Sequence, residues 1–279
     1  MCRLLGYVSR RPLTAGAAVG TDEVRAFADL ARVHCDGWGA AWVERAGSAP
    51  QVRTSERSAE RDPAFADQHA GHPAVAGLLH LRWATMGLRV APENTHPFLA
   101  DGMAFAHNGS LPAEALTGLL EPAYRAGLRG TTDSERYFAL IRQVRATGTR
   151  LPEAVRRAVS VLALRAPRAS LNALLLDEAS LVAVHASARS RLHPDDDELC
   201  RAAGLPQDHL DDYFALRIRR TAEGVQIGST GFGQAGWEPL PPDSVTTVRL
   251  ADLSVTTEPL DVAAAAHRPV DQEAADVRR

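Results

Sequence analysis

Strand-like and helix-like stretches in this chain of 279 residues fall into blocks, and that ordering restricts the fold more than any other feature. Short apolar runs at Arg3–Ser9, Ala40–Val43, Ala74–Thr85 and Met103–Ala106 predict strands, with one early helical spacing over Thr21–Arg32. A helical block follows. One helix is expected from Ser110 to Leu120, ahead of Pro122. A second is capped by Thr132, with Glu135 three residues on and Phe138, Ile141 and Val144 along one face. A third spans Pro152–Arg165. Strand patterns return at Leu171–Leu176 and Leu181–Ala186, a hairpin turning at Asp177-Glu178, and again at Tyr213–Arg219, Val225–Gly228 and Val245–Leu250. Such segregation predicts an α+β fold with packed antiparallel sheets, not a doubly wound parallel sheet.

The connecting stretches are less informative. Arg45–Gly71 reads as a loop with a short helix around Pro63–His69, and Met86–Phe98 as a proline-containing loop. Arg189–Asp212 reads as an irregular acidic insertion. Val262–Arg279 is rich in alanine and charge with few large apolar anchors, so a flexible tail is expected after a single domain over residues 2–261.

The chemistry centres on Met1-Cys2. An initiator methionine is normally removed when a small residue follows it, which would leave a thiol and a free α-amine on one residue. A weak nucleophile needs a base beside it. An α-amine with an unperturbed pKa of about 7.7–8.0 is suited to that task near neutral pH.

Composition narrows the options. All 31 cationic residues are arginine, so a lysine Schiff base, a pyridoxal phosphate anchor and a Walker-type phosphate lysine are impossible. A net charge of −3 invites neither nucleic acid nor an anionic membrane. No apolar run approaches the length of a membrane span, and residues 1–20 lack the apolar core of a secretory signal. Three cysteines (Cys2, Cys35 and Cys200) do not make a disulfide scaffold, and a reducing cytoplasm fits them best. Ten histidines show neither metal-finger nor H-x-x-x-H spacing, so no metal and no cofactor are expected.

Three polar clusters sit at expected strand or helix ends: Arg82-Trp83-Ala84-Thr85, His107-Asn108-Gly109 and Thr132-Asp133-Ser134-Glu135. Ends of adjacent strands in one sheet share an edge, so these clusters and Cys2 could converge. A thiol attacking an amide needs two donors aimed at the oxyanion, and an Asn side chain with the next Gly N–H can supply both. Arg82 can grip a carboxylate bidentately and Asp133 can take an ammonium. Each residue also has a plain reading. Asn-Gly is a turn, Arg82 a surface ion pair, Asp133 a charge at a helix N-terminus, Trp83 core packing and Thr85 a loop hydrogen bond.

Taken together, Cys2, DGWGAAW at 36–42, HLRWATMG at 80–87, ENTHPF at 93–98, AHNGSL at 106–111 and TTDSE at 131–135 resemble the class II glutamine amidotransferases in order and spacing. Their glutaminase domain is an N-terminal-nucleophile hydrolase. The resemblance is strong from Cys2 to Arg145 and looser beyond. It implies a four-layer αββα sandwich. It also implies Cys2 as nucleophile with its own amine as base, and Asn108 and Gly109 as oxyanion hole. Arg82 would bind the substrate carboxylate with help from Thr85, Asp133 would bind the ammonium, and Trp83 would form the pocket wall. His96 matches a family histidine. Met86 departs from the histidine that the amino-sugar synthase branch carries there.

Full-length synthases carry an acceptor domain for which this length leaves no room. The resemblance therefore points to the stand-alone branch, similar to γ-glutamyl amidohydrolases such as the ergothioneine-pathway enzyme. The expected activity is cleavage of the side-chain amide of glutamine or a γ-glutamyl compound, a small-molecule substrate, through a Cys2 thioester. Two alternatives remain open: an ammonia-supplying subunit of a separate synthase partner, and a non-catalytic glutamine-binding protein.

Overall fold

A computed structural model describes residues 1–85, 87–187 and 189–260. The strands are β1 (Arg3–Leu13), β2 (Trp38–Val43), β3 (Gln51–Ser55), β4 (Ala74–Leu81), β5 (Phe98–Ala100), β6 (Met103–Asn108) and β7 (Asn172–Leu176). They continue with β8 (Ser180–His185), β9 (Leu216–Arg220), β10 (Gly224–Ser229), β11 (Glu238–Pro239), β12 (Ser244–Arg249) and β13 (Val255–Pro259). The helices are α1 (Ala15–Val19), α2 (Thr21–Asp29), α3 (Pro63–Gly71), α4 (Pro122–Ala126), α5 (Asp133–Arg145), α6 (Leu151–Arg165), α7 (Pro194–Ala202) and α8 (Gln207–Asp211). The strands form two sheets, ordered β11-β9-β10-β1-β4-β2-β3 and β13-β12-β8-β7-β6-β5, and their pairings are antiparallel.

Period-2 alternation assigns each side chain to a layer. Leu4 and Val8 of β1 meet Leu174, Leu176 and Leu181 of the second sheet in the core between the sheets. Leu5 and Tyr7 face the other way and pack on Val19, Val24 and Phe27 of α1 and α2. The outer face of the second sheet, including Phe105 and Leu175, is covered by Phe138, Ile141, Val155 and Val159 of α5 and α6. This is the four-layer αββα sandwich expected from the sequence. Gly6 sets the spacing at the sheet interface. A Cβ there would stand 3.0 Å from Leu181 and 3.1 Å from Leu174 side-chain carbons.

Several local expectations are corrected. The helix expected over residues 110–120 is only a 3₁₀ turn at Ala113–Leu116, and Pro122, expected to follow a helix end, begins α4 instead. Proline has no N–H to leave unpaired at a helix's first turn, so it serves both roles. The acidic insertion holds α7, capped by His193 and started by Pro194, and α8. The strand from Ala74 ends at Leu81, and Arg82–Thr85 is irregular. Thr132 caps α5 as expected, accepting from Glu135 N at 3.2 Å. Glu135 does not complete the reciprocal box; its carboxylate takes the N–H groups of Arg129 (2.7 Å) and Gly130 (2.8 Å) in the preceding loop. Met86 and the tail after residue 261 lie outside the described residues. Among the described residues, no helix is long and apolar enough to cross a membrane.

Candidate active site

Antiparallel pairing of β1 with β4 puts Arg3 opposite Leu81, so Cys2 and Arg82 flank the same end of one sheet. Asn108 closes β6 in the other sheet, opposite Asn172. The clusters therefore converge from two sheets, not from the edge of one. The Cys2 N–H donates to Asn108 Oδ1 at 2.8 Å, bridging the layers. Asn108 is fully buried, and its Nδ2 has no hydrogen-bond partner. A buried amide donor left unpaired costs about 1–3 kcal/mol, which makes it a group waiting for an acceptor.

Gly109 follows directly, and no other residue fits. A Cβ there would lie 1.9 Å from Ser170 O and 2.7 Å from His107 Nε2. The turn is held from behind: His107 Nδ1 meets Ser134 Oγ at 2.9 Å, His107 Nε2 meets Ser170 O at 2.9 Å, and Ser170 Oγ donates to Asn108 O at 2.7 Å. Asp133 opens α5, and its carboxylate accepts the Leu111 N–H just beyond this turn. The acidic side chain is thereby brought beside Asn108-Gly109.

Arg82 is buried and donates to the carbonyls of Asp36 (3.2 Å) and Arg89 (3.4 Å). The Asp36 carboxylate accepts from Ala84 N at 2.8 Å, so the Asp36-Gly37 turn fixes the segment after β4. The Trp83 carbonyl lies 3.9 Å from Cys2 Sγ and also accepts from the Met1 amine. The Trp83 ring meets His34 edge-on at 5.4 Å. Thr85 is exposed, and its carbonyl closes a turn with Leu88 N at 2.9 Å.

His96 comes into the site because Gly39 lets its loop lie directly on β2. A Cβ at Gly39 would stand 2.1 Å from His96 O. His96 Nδ1 meets His80 Nε2 at 3.2 Å. One potential ligand atom from each of Cys2, His80 and His96 lies within 4.8 Å of the others, and all three residues are buried. Burial pushes the pKa of both imidazoles down to about 3, with the Arg82 charge adding to the effect at His80, so both are neutral. Burial alone would raise the Cys2 thiol; the positive amino terminus and His96 outweigh it and bring its pKa to about 7.

Sequence reasoning gave no role to His80, Arg3, Ser134 or Ser170. Arg3 alone carried a signal, an arginine in an otherwise apolar strand. Ser229 and Trp237, unassigned from the sequence, are structural. Ser229 Oγ accepts Leu4 N at 3.1 Å, and Trp237 packs edge-on against Phe232 at 5.7 Å.

The αββα frame around Cys2 and the unpaired Asn108 amide is a fold of the N-terminal-nucleophile hydrolase type. The sequence matches the profile of the class-II glutamine amidotransferases over residues 1–259, and the chain belongs to that family. It is 31% identical over 150 residues to the glutamine–fructose-6-phosphate aminotransferase of Xylella fastidiosa, a match covering 53% of this chain and 24% of that protein. The match thus spans about a quarter of the curated relative's length. The fold is shared with a glutamine aminotransferase class-II domain protein from Silicibacter pomeroyi (19% identity, TM-score 0.61, covering 93% of this chain and 99% of that one). It is shared also with the glutamine PRPP amidotransferase of B. subtilis (15% identity, TM-score 0.60, covering 93% and 49%).

Proposed function

We propose that the chain is a stand-alone amidohydrolase that cleaves the side-chain amide of glutamine or a γ-glutamyl compound through a Cys2 thioester. The observation that carries this reading is the divided use of Asn108. Its Oδ1 holds the Cys2 nitrogen while its buried Nδ2 remains unpaired. Removal of Met1 makes that nitrogen a primary amine, oriented by Asn108 and adjacent to Sγ. It also releases two groups that Met1 occupies, the Trp83 carbonyl and His34 Nδ1 (3.3 Å from Met1 O).

In the proposed sequence the amine takes the thiol proton as Sγ attacks the amide carbon. Asn108 Nδ2 and Gly109 N–H receive the oxyanion. The ammonium then protonates the leaving nitrogen, and the C–N bond breaks to leave a glutamyl thioester. Water, deprotonated by the same amine, releases glutamate. Arg82 pairs with the substrate α-carboxylate, Asp133 with the α-ammonium, Thr85 assists and Trp83 walls the pocket. His96 orders the space behind the nucleophile.

The test is glutamate release from glutamine and from a panel of γ-glutamyl peptides. Turnover that disappears in Cys2→Ala supports the reading. Correctly processed, folded protein that hydrolyses none of them contradicts it. A marked rise with an added synthase would favour the ammonia-supplying role instead.

A further inference from the structure

Spacing along the chain gives no hint of a metal site, because the three residues that meet there come from the position before β1, the end of β4 and the loop before β5. We propose that Cys2, His80 and His96 form a site for a divalent cation of Zn²⁺ type, and that filling it withdraws the nucleophile from reaction. The site does not rest on the hydrolase reading; only the consequence for activity does.

The donor set selects the ion. A sulfur and two imidazole nitrogens, with no carboxylate among them, suit Zn²⁺, Cd²⁺ or Co²⁺ and not Mg²⁺ or Ca²⁺. The spacing is also close to what the ion requires. Zn–N bonds of about 2.0–2.1 Å in a tetrahedron put ligand nitrogens about 3.3 Å apart. His96 Nδ1 and His80 Nε2 already stand at 3.2 Å. All three ligand atoms lie within 4.8 Å of one another, so modest side-chain rotation closes the set.

Two observations beyond proximity point to a ligand. Two neutral imidazoles carry two N–H groups and two lone pairs, and their mutual contact uses one of each. The remaining ring nitrogens, His80 Nδ1 and His96 Nε2, are buried without hydrogen-bond partners. For both rings to ligate one ion, these outer nitrogens carry the N–H groups, which turns the His80 Nε2 and His96 Nδ1 lone pairs toward it. Secondly, once Met1 is removed, Cys2 offers its amine as well as its sulfur, and the two close a five-membered chelate ring on one ion. Binding replaces the thiol proton, which leaves to solvent. A cation held there occupies the sulfur lone pair and the amine lone pair together, which are the nucleophile and the base of the proposed reaction.

The experiment uses the full, processed chain titrated with Co²⁺ and then Zn²⁺. The expected result is one Co²⁺ per chain with a thiolate-to-cobalt absorption band and intense tetrahedral d–d bands, displaced by Zn²⁺. Cys2→Ser and His96→Gln should abolish the thiolate band or weaken affinity by more than the roughly 10–100-fold that outer-shell changes cost. His80→Gln should weaken it at least into that range. Cys35→Ser and Cys200→Ser should bind as the parent does; Cys200 matters because it pairs with His209 at 3.8 Å. Should a ligand variant fail to fold, alkylation of the parent protein decides. Zn²⁺ should protect Cys2 from iodoacetamide and leave exposed Cys35 reactive. Cys2 labelled equally fast with and without Zn²⁺, or cobalt bound equally well by Cys2→Ser, overturns the proposal. Protein that binds the ion as expected yet hydrolyses no γ-glutamyl compound would refute the hydrolase reading and leave the site standing.

Discussion

The guanidinium of Arg3 lies over the ring of Tyr213, 3.7 Å from its centre, with the whole arginine buried. It donates to three carbonyls: Cys2 (2.7 Å), Tyr213 (3.0 Å) and Thr230 (3.3 Å). Among the described residues, no carboxylate forms an ion pair with it. Carbonyl dipoles and an aromatic face therefore stabilise this buried cation. The residue after Cys2 thus ties the Cys2 backbone to the second half of the chain.

Arg3→Met should destabilise the protein by about 2–4 kcal/mol, because three buried carbonyls lose a charged donor at once. Arg3→Lys should recover part of that, since one ammonium cannot span all three. Urea midpoints of the three proteins check this, and a parent-like midpoint in Arg3→Met would contradict it.

Asn108→Ala removes both the hold on the Cys2 nitrogen and the unpaired donor. Loss of an oxyanion donor costs about 2.7–4 kcal/mol of barrier, or roughly 10²–10³ in kcat. The effect should appear in kcat much more than in KM. A variant whose loss lies only in KM would mean that Asn108 binds substrate and does not stabilise the transition state.

Gly39→Ala tests how His96 is delivered. The added methyl would meet backbone at 2.1 Å and the Pro97 ring at 2.6 Å, neither of which can move freely. A cost of about 1–3 kcal/mol is expected, together with a displaced His96 loop. Gly71→Ala, with nothing within 4 Å of the new carbon, is the control and should stay within about 0.5 kcal/mol of the parent.

Asp62 supplies a pH signature for the fold. Burial would raise its carboxyl pKa, but Ser55 Oγ (2.6 Å), Trp38 Nε1 (3.0 Å) and Ala64 N (3.1 Å) all donate to it and hold it below the ordinary value. The unfolded chain then takes up the proton first as pH falls below about 4. The contribution is complete above that range and is lost as pH drops through the folded-state pKa. The stability difference between the parent and Asp62→Asn should shrink between pH 6 and pH 3; a constant difference would contradict the assignment.

The blocks of strand, helix and strand were legible because short apolar runs mark β1, β4, β7 and β8 and helical spacing marks α5 and α6. The strands β3, β5 and β13 were not. Gln51–Ser55 and Val255–Pro259 are largely exposed, and Phe98–Ala100 is three residues long, so none carries an apolar alternation to read. Asn108, Gly109, Arg82 and Asp133 were legible as polar clusters at element ends. His80 was hidden because a histidine within an apolar strand looks like core until its partner is known, and His96 arrives from a loop whose path depends on Gly39. Arg3 stood out in its apolar strand, but its role did not, because two of its three carbonyl partners lie more than 200 residues away.

The central claim is that Cys2, exposed as the first residue, is the atom that is acylated. Intact-protein and peptide mass spectrometry of the active enzyme, quenched during turnover of a γ-glutamyl substrate, tests it most directly. The account predicts a chain beginning at Cys2 and a glutamyl adduct on the Cys2 peptide. Active protein that still carries Met1, or an adduct on any other residue, would contradict it.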